Sequence, residues 1–385
     1  MINVAHFISR WLPLTQNWVH TQLSHLPPQH VRSSVVCYET VQDSAYAWDP
    51  VIAMRQMNDP GYVLSSIVRK TVSPRYYPHL RRALKQLDAH VLHSHFGDSA
   101  WVNAPAARAA GVAHVATFYG YDGNRLPHEK PVWASRFREL FNDVDAVLCE
   151  GPAFAAKLQH LGCAQDRVIV HPLGLTLSAL PFEPASWDGR QPIRFLLAGR
   201  FAEKKGFRYA LDAIGQVARQ APVAVTIVGA ADPTDGSRAE AAAMEAAIEA
   251  WKLGGAVRKL GMISLDRLRE EIASHHFFMA SSVTASDGDT EGGAPVTANE
   301  AQAMGIPVIG TDHCDIPFIL NQGVALSPEK DVGGLVKQIE WWLTAPGAWP
   351  DRLRSGRAHV EQVFDATKQG EQLARIYDKV LQNRQ

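Results

Sequence analysis

The sequence has few cysteines. Cys37, Cys149, Cys163 and Cys314 are scattered over 385 residues and form no CxxC pair. Neither a disulfide scaffold nor a structural zinc site is expected, and reduced thiols in a cytosolic protein are the simplest reading. Neither sign of charge is in excess: 38 Lys and Arg face 39 Asp and Glu, which argues against a dedicated nucleic-acid binder. No apolar run is long enough to span a bilayer. The first ten residues carry no basic segment ahead of their apolar ones, so they read as a strand and not as a signal peptide. GxxxxGK[ST] is absent and no GxGxxG follows a strand-like run, which removes most support for an ATPase or a dinucleotide oxidoreductase. Internal repeats and low-complexity segments are also absent.

The length makes two domains the prior. Apolar runs at Ile2–Ile8, Val35–Tyr38, Val91–His95, Val112–Phe118, Ala146–Cys149 and Val168–Val170 alternate with helical segments. A polar stretch, Arg10–His20, leads into the first helix, with Thr15, Gln16 and Asn17 near its turn; residues 39–66 give weak signals. A second alternating series starts at Ile193 and runs through Val223–Val228, Val257–Leu260, Phe277–Ala280 and Pro307–Gly310. Val324–Leu326 is expected as its last strand, and helices Val332–Leu343 and Thr367–Gln382 follow. Such alternation predicts an α/β protein with doubly wound parallel sheets. Pro172, Pro181, Pro184 and Pro192 crowd the stretch between the two series and mark a linker.

The most informative stretch is Ser281–Pro317, which follows a buried-looking strand. A polar loop is succeeded by Gly292-Gly293-Ala294-Pro295, an Ala-rich helix through Glu300 to Met304, and another strand. A helix opening at a glycine loop offers unpaired N–H groups and a positive dipole end, so an anion is expected at Gly292-Gly293-Ala294. The loop Gly199–Gly206 places Arg200 and Lys205 after a strand, which favours a phosphate over an ordinary basic turn. If both loops border the sheet's carboxyl edge, one pyrophosphate can bridge them. Glu291 and Glu300 would repel phosphate, and their natural partners are the hydroxyls of a ribose or hexose. The implied ligand is a nucleotide diphosphate attached to a sugar. Asp287-Gly288-Asp289 has the look of a DxD metal motif, but with Arg200, Lys205 and a helix terminus on the phosphates no divalent ion is required; neither a metal nor a cofactor is expected.

In the first half, His93 and His95 end a strand at the lip where α/β sheets bind ligands. The loop Tyr119–Gly123, which includes Asp122, also lies beyond a strand's carboxyl end. From Arg69 to Lys85 six cations and two tyrosines, Tyr76 and Tyr77, occur with no acidic residue before Asp88. Besides a solvated helix face, this stretch suits contact with anionic lipid headgroups or a phosphate-bearing acceptor. Pro74 and Pro78 break the stretch and argue against one long amphipathic helix.

GRFAEKKGF followed by SDGDTEGGAPVTANEAQAMGIPV resembles the family-4 glycosyltransferases of the GT-B fold, and EGGAP, EAQA and HCDIP are most similar to bacterial exopolysaccharide enzymes of the colanic-acid and amylovoran type. The resemblance is strong from about Phe195 to Pro317, and looser but collinear across HSHFG, TFYGYD and VLCEGP. It implies two facing Rossmann-like domains: 1–175 on the acceptor side, 176–364 holding a nucleotide-sugar donor, and a last helix at about 365–385 packing back on the first. It implies transfer with retention and without metal. Arg200 and Lys205 would meet the diphosphate beside Gly199, Glu300 the ribose, and Glu291 with the amides of Gly292, Gly293 and Ala294 the sugar and phosphate. Arg200, Lys205, Glu291 and His95 are the expected catalytic set, and Asn17, His95, Tyr119 and Asp122 fall on the acceptor or sugar side. A UDP-sugar is the default donor. The acceptor is a saccharide, soluble or lipid-linked at the inner membrane face, where Arg69–Lys85 would give peripheral contact with anionic lipid. A GT-B nucleotide-sugar epimerase and a non-catalytic nucleotide-sugar binder are the alternatives; a phosphorylase would need a pyridoxal lysine to which no motif points. The chain departs from the family twice. Eight residues, not the usual seven, separate Glu291 from Glu300. Tyr119 follows Thr-Phe where the family has histidine, so that role falls to Tyr119 or His95, or no titrating group is needed.

Overall fold

The computed structural model describes residues 1–384 apart from 12–16, 42–45, 57–59 and 76. Thr15, Gln16 and Tyr76 therefore lie outside the described residues. Fourteen strands are described: β1 Ile2–Phe7, β2 Arg10–Trp11, β3 Val31–Cys37, β4 Glu39–Thr40, β5 Val51–Ala53, β6 Val91–His95, β7 Ala113–Thr117, β8 Ala146–Cys149, β9 Val168–Val170, β10 Ile193–Ala198, β11 Val223–Val228, β12 Val257–Gly261, β13 Phe277–Ala280 and β14 Val308–Gly310. Every pairing among them is parallel. They form a seven-stranded sheet in the order β5-β3-β1-β6-β7-β8-β9, a five-stranded sheet in the order β12-β11-β10-β13-β14, and a small β2-β4 pair. The central strands are buried at nearly every position, and β13 is apolar throughout, because helices cover both faces of a parallel sheet.

The chain divides into two units, Met1–Thr176 with Phe364–Gln385, and Leu177–Val363. In the first, helix Ala366–Gln382 sets Leu373, Ala374 and Tyr377 against Val4, Val91 and Val115. In the second, Phe195, Phe277 and Ile227 of the sheet pack with Phe207, Ile214, Trp342 and Trp349 of the helices. Both sheets have a switch point, β1/β6 in the first and β10/β13 in the second, where successive connections leave in opposite directions. Doubly wound sheets bind ligands in the crevice that opens there, outside the strand carboxyl ends.

Three expectations need correction. Val324–Leu326 is not a strand: these residues are exposed or half-buried, and only Ser327 bridges to Thr311. The helix after the glycine loop opens at Val296, with Pro295 ahead of it, so Gly292-Gly293-Ala294 precedes the helix and does not begin it. The basic stretch is broken at Pro74–Pro78 into helices Pro60–Thr71 and Pro78–Gln86, but it is less basic at its surface than its composition suggests. Arg69 turns inward, 4.1 Å over the Tyr77 ring and 2.8 Å from the Tyr38 hydroxyl. Arg75 is held by Glu139 and by Asp143 at 3.0 Å.

Candidate nucleotide-sugar site

Strands β10 and β13 are neighbours, so the loops that follow them leave the same sheet edge side by side. Their backbones are tightly joined. Gly206 has φ +62°, and a Cβ there would sit 1.9 Å from the Ser281 carbonyl oxygen, so only glycine lets the first loop press against the second. The Val283 amide donates to the Lys204 carbonyl at 2.8 Å. Side chains complete the seam: Glu203 accepts from the Ser286 amide and hydroxyl at 3.0 and 2.6 Å, Lys204 meets Asp289 at 3.1 Å, and Lys205 meets Glu291 at 2.9 Å.

Glu291 is almost wholly buried, and burial alone would raise its pKa. The Lys205 and Lys204 ammoniums and the Ser282 hydroxyl at 2.7 Å outweigh that and hold it at about 2. Its backbone is fixed too. The Glu291 amide donates to His313 Nε2 at 3.2 Å, and His313 Nδ1 lies 2.6 Å from Glu329. One tautomer, with the proton on Nδ1, serves both bonds. Gly292 follows with φ +84°, a left-handed turn straight after Glu291. Beyond it, the amides of Gly293, Ala294, Val296 and Thr297 have no hydrogen-bond partner among the described residues.

Arg200, in the same corner, is exposed and forms no ion pair among the described residues. Two cations of one loop thus differ: Lys205 is internally neutralised and Arg200 is available. Glu300 lies one turn into its helix, buried, with Oε1 3.4 Å from Arg269. Burial outweighs that arginine and raises the Glu300 carboxyl. Asp287 and Asp289 are both engaged: Asp287 accepts the Asp289 amide at 2.9 Å while Asp289 holds Lys204.

At the other switch point, register sets His6 beside His93, and His95 follows two residues on along the same face. His95 is fully buried. Its Nδ1 is 2.6 Å from the Tyr119 hydroxyl and its Nε2 3.2 Å from His6 Nδ1. His93 spans Tyr377 and Thr117, both at 2.7 Å. Burial depresses all three imidazoles, His95 to about 3, so none is charged near neutrality. Their nitrogens lie within 4.8 Å of one another. However, of the six ring nitrogens only His6 Nε2 lacks a hydrogen-bond partner among the described residues. The cluster is a hydrogen-bond chain that ends on Tyr119. Asp122, read as a sugar-side group, is buried, and its carboxylate is taken up by the amides of Gly97, Tyr119 and Gly123 at 2.6, 2.9 and 3.1 Å. It therefore shapes the Tyr119 loop. Asn17 opens its helix, and its neighbour Trp18 packs on the Tyr119 ring with centroids 5.9 Å apart.

Two family models match. "Glycosyl transferases group 1" covers residues 192–345 and "Glycosyltransferase Family 4" covers residues 15–179, so together they take in most of the chain. The chain belongs to the family 4 glycosyltransferases. Among relatives of this glycosyltransferase, the colanic acid biosynthesis glycosyltransferase WcaL of Salmonella typhimurium is 27% identical over 301 residues, 76% of this chain and 71% of WcaL. The amylovoran biosynthesis glycosyltransferase AmsK of Erwinia amylovora is 27% identical over 275 residues, 69% of this chain and 64% of AmsK, so less than two thirds of that relative is spanned. A crystal structure of Anabaena HepE in complex with UDP-glucose superposes with a TM-score of 0.74 at 17% identity, covering 98% of this chain and 100% of HepE. The fold is GT-B, with two Rossmann-like units.

Lys204, Arg269, Ser282, His313 and Glu329 were not singled out by sequence reasoning. Lys204 adjoins Lys205, and Ser282 and His313 stand within Ser281–Pro317, so these three had a local signal; Arg269 and Glu329 are joined to the site only by the fold.

Proposed function

We propose that this glycosyltransferase moves a hexose from a nucleotide-diphosphate sugar, a UDP-sugar by default, to a hydroxyl of a saccharide acceptor in exopolysaccharide or cell-surface glycan synthesis, with retention at the anomeric carbon and without a metal ion. The observation that carries the donor site is the β10/β13 switch point. There an unpaired arginine, a lysine and a row of unpartnered amides meet two buried carboxylates. Arg200 and the amides of Gly293, Ala294, Val296 and Thr297 bind the diphosphate, and Lys205 is shared between a phosphate oxygen and Glu291. Glu291 takes sugar hydroxyls, and Glu300 the ribose. The names of WcaL and AmsK support the polysaccharide setting, and HepE, held in crystals with UDP-glucose, supports the choice of nucleotide.

The reaction follows from this arrangement. The acceptor hydroxyl attacks on the face from which the diphosphate departs, and a leaving phosphate oxygen takes its proton. The protein's part is to stabilise charge growing on the diphosphate. No titrating side chain is needed on the acceptor side, which suits a Tyr119–His95–His6 chain that stays neutral. Tyr119 meets the sugar as a hydrogen-bonding group. A lipid-linked acceptor would place the protein peripherally at an anionic membrane surface; among the described residues no helix is long and apolar enough to cross one.

Arg200→Ala tests the donor site. The protein should stay within about 0.5 kcal/mol of wild type in stability, since Arg200 is exposed. Its donor-hydrolysis and transfer rates should fall by the equivalent of about 2–4 kcal/mol in the barrier. Chelator should leave the wild-type rate unchanged. Near-normal rates from the folded variant would reject the assignment. NMR of the donor with enzyme alone separates an epimerase, which alters the sugar without an acceptor, and binding without any turnover would mark a non-catalytic binder.

A further inference from the structure

Exposed large apolar side chains are few, and they cluster. Of the eight among the described residues, four lie within ten positions: Val63, Leu64, Ile67 and Val72, each more than half exposed. The first three project from helix Pro60–Thr71, and Val72 directly follows it. This helix is amphipathic in the reverse of the usual sense. Its inner face is polar and aromatic: Tyr62 packs on the core and edge-on to His79, Ser65 is buried with its hydroxyl 3.1 Å from His79 Nδ1, and Arg69 lies over Tyr77. Positions 62, 65 and 69 make one helical stripe. Positions 63, 64, 67 and 70 make the opposite one, which carries three aliphatic side chains and then Lys70. A surface helix normally turns its aliphatic stripe to the core, so an outward one marks an interaction surface.

The charge around this stripe selects the partner. No acidic residue occurs from Pro60 to Leu87. Lys70 is exposed at the end of the stripe, and the following helix, Pro78–Gln86, buries Leu80, Ala83 and Leu84 while exposing Arg81, Arg82 and Lys85. Aliphatic side chains followed along the chain only by cations as far as Leu87 match the boundary between acyl chains and anionic headgroups. A second copy of the same face would set like charges against each other.

We infer that the outward face of helix Pro60–Thr71, formed by Val63, Leu64 and Ile67 with Val72 and the neighbouring cations, seats this protein on an anionic lipid bilayer. The inference deepens the reading of a membrane-borne acceptor and moves the contact from the basic stretch as a whole to the aliphatic stripe ahead of it. Arg69 and Arg75, turned inward, play no part. The aliphatic side chains enter the headgroup boundary and the cations hold them there, so raised salt weakens the contact without abolishing it.

The test is co-sedimentation of the full chain with phosphatidylcholine vesicles, alone or with about a third phosphatidylglycerol, a composition chosen for its negative surface potential. Binding is expected to the anionic vesicles and to be much weaker with the neutral ones. Leu64→Glu with Ile67→Glu should lower the partition coefficient at least about tenfold, since it removes buried apolar area and adds two like charges at the surface. Val132→Glu, at another exposed apolar position, should leave it unchanged. Circular dichroism and donor hydrolysis in solution should match wild type for both, because the changes touch neither core nor donor site. Absence of vesicle binding, or equal binding by the double variant, overturns the inference. So does a dimer seen by sedimentation velocity that the double variant abolishes, because the face would then belong to a second copy. Vesicle binding needs no turnover, so failure of the glycosyl-transfer reading would show in the hydrolysis assay alone.

Discussion

Replacing Lys205 by methionine removes one charge from the seam between the two donor-site loops while keeping most of the side chain's volume. In the wild-type protein Glu291 is buried and held at about 2 against an ordinary value of 4.5. A carboxylate whose folded pKa lies below its unfolded one stabilises the fold above the unfolded value, and that contribution is lost as pH falls from about 4.5 toward 2. The shift corresponds to about 3 kcal/mol at neutral pH. Without the Lys205 ammonium at 2.9 Å, burial is opposed only by Ser282 and the more distant Lys204. Breaking a buried pair by removing one partner costs about 3–5 kcal/mol, in line with the first figure. Urea unfolding should therefore show Lys205→Met less stable by about 3 kcal/mol at pH 7. The deficit should narrow at pH 4, where Glu291 of the variant takes up a proton. Adding Glu291→Gln should restore much of the loss at pH 7, because no buried charge is then left alone. A loss under about 1 kcal/mol at pH 7, or one that does not change with pH, would refute the reasoning. The contrast with Arg200 is the point: the exposed arginine should affect turnover and not stability, and the lysine both.

Other consequences concern the rest of the frame. Gly206→Ala should destabilise by more than about 3 kcal/mol, since it meets both a left-handed backbone and the Ser281 carbonyl; a change under about 1 kcal/mol in urea unfolding would contradict the packing described. Tyr119→Phe keeps the ring against Trp18 and Phe96 but leaves the buried His95 Nδ1 without its partner. It should cost about 1–3 kcal/mol in stability and lower kcat of transfer; unchanged kinetics would remove Tyr119 from the sugar side. His6, His93, His95, His114 and His171 are all buried and depressed by burial below 6.5. The unfolded chain protonates first on acidification, so stability is full above pH 6.5 and falls below it, by up to about 1.4 kcal/mol per pH unit for each histidine. Asp122, raised to about 7 by burial, acts in the opposite sense but is outnumbered. Calorimetry should show Tm dropping steadily from pH 6.5 to 4, and a flat profile would contradict this.

The architecture was legible wherever apolar runs are bounded by Gly, Pro or polar residues. Ala146–Cys149, Val168–Val170, Val223–Val228, Phe277–Ala280 and Val332–Leu343 are found with the bounds that their sequence suggests. Legibility failed where local composition and tertiary environment part ways. Val324–Leu326 has the residues of a strand, but nothing buries it. Helix Trp349–Val363 escaped notice because Pro350 and Gly356 interrupt its pattern, although Trp349, Leu353 and Val360 are all buried. Gly356 is needed because the Gln302 side chain lies where a Cβ would go, a contact no local signal announces. At the site, the glycine loop and the basic loop could be read from residue type and position after a strand. What could not be read was how each charge is spent. Lys205 and Arg200 look alike in the sequence, and only the fold shows one paired with Glu291 and the other open. Asp122 likewise has the chemistry of a sugar ligand, yet three backbone amides occupy it.

The central claim is that a donor's diphosphate lies at the β10/β13 switch point. Hydrogen exchange with and without a UDP-sugar tests it most directly. The account predicts slower exchange at the amides of Gly293, Ala294, Val296 and Thr297 and along Arg200–Lys205, with that protection much reduced in Arg200→Ala. Protection confined to other segments, or equal protection in the variant, would contradict it.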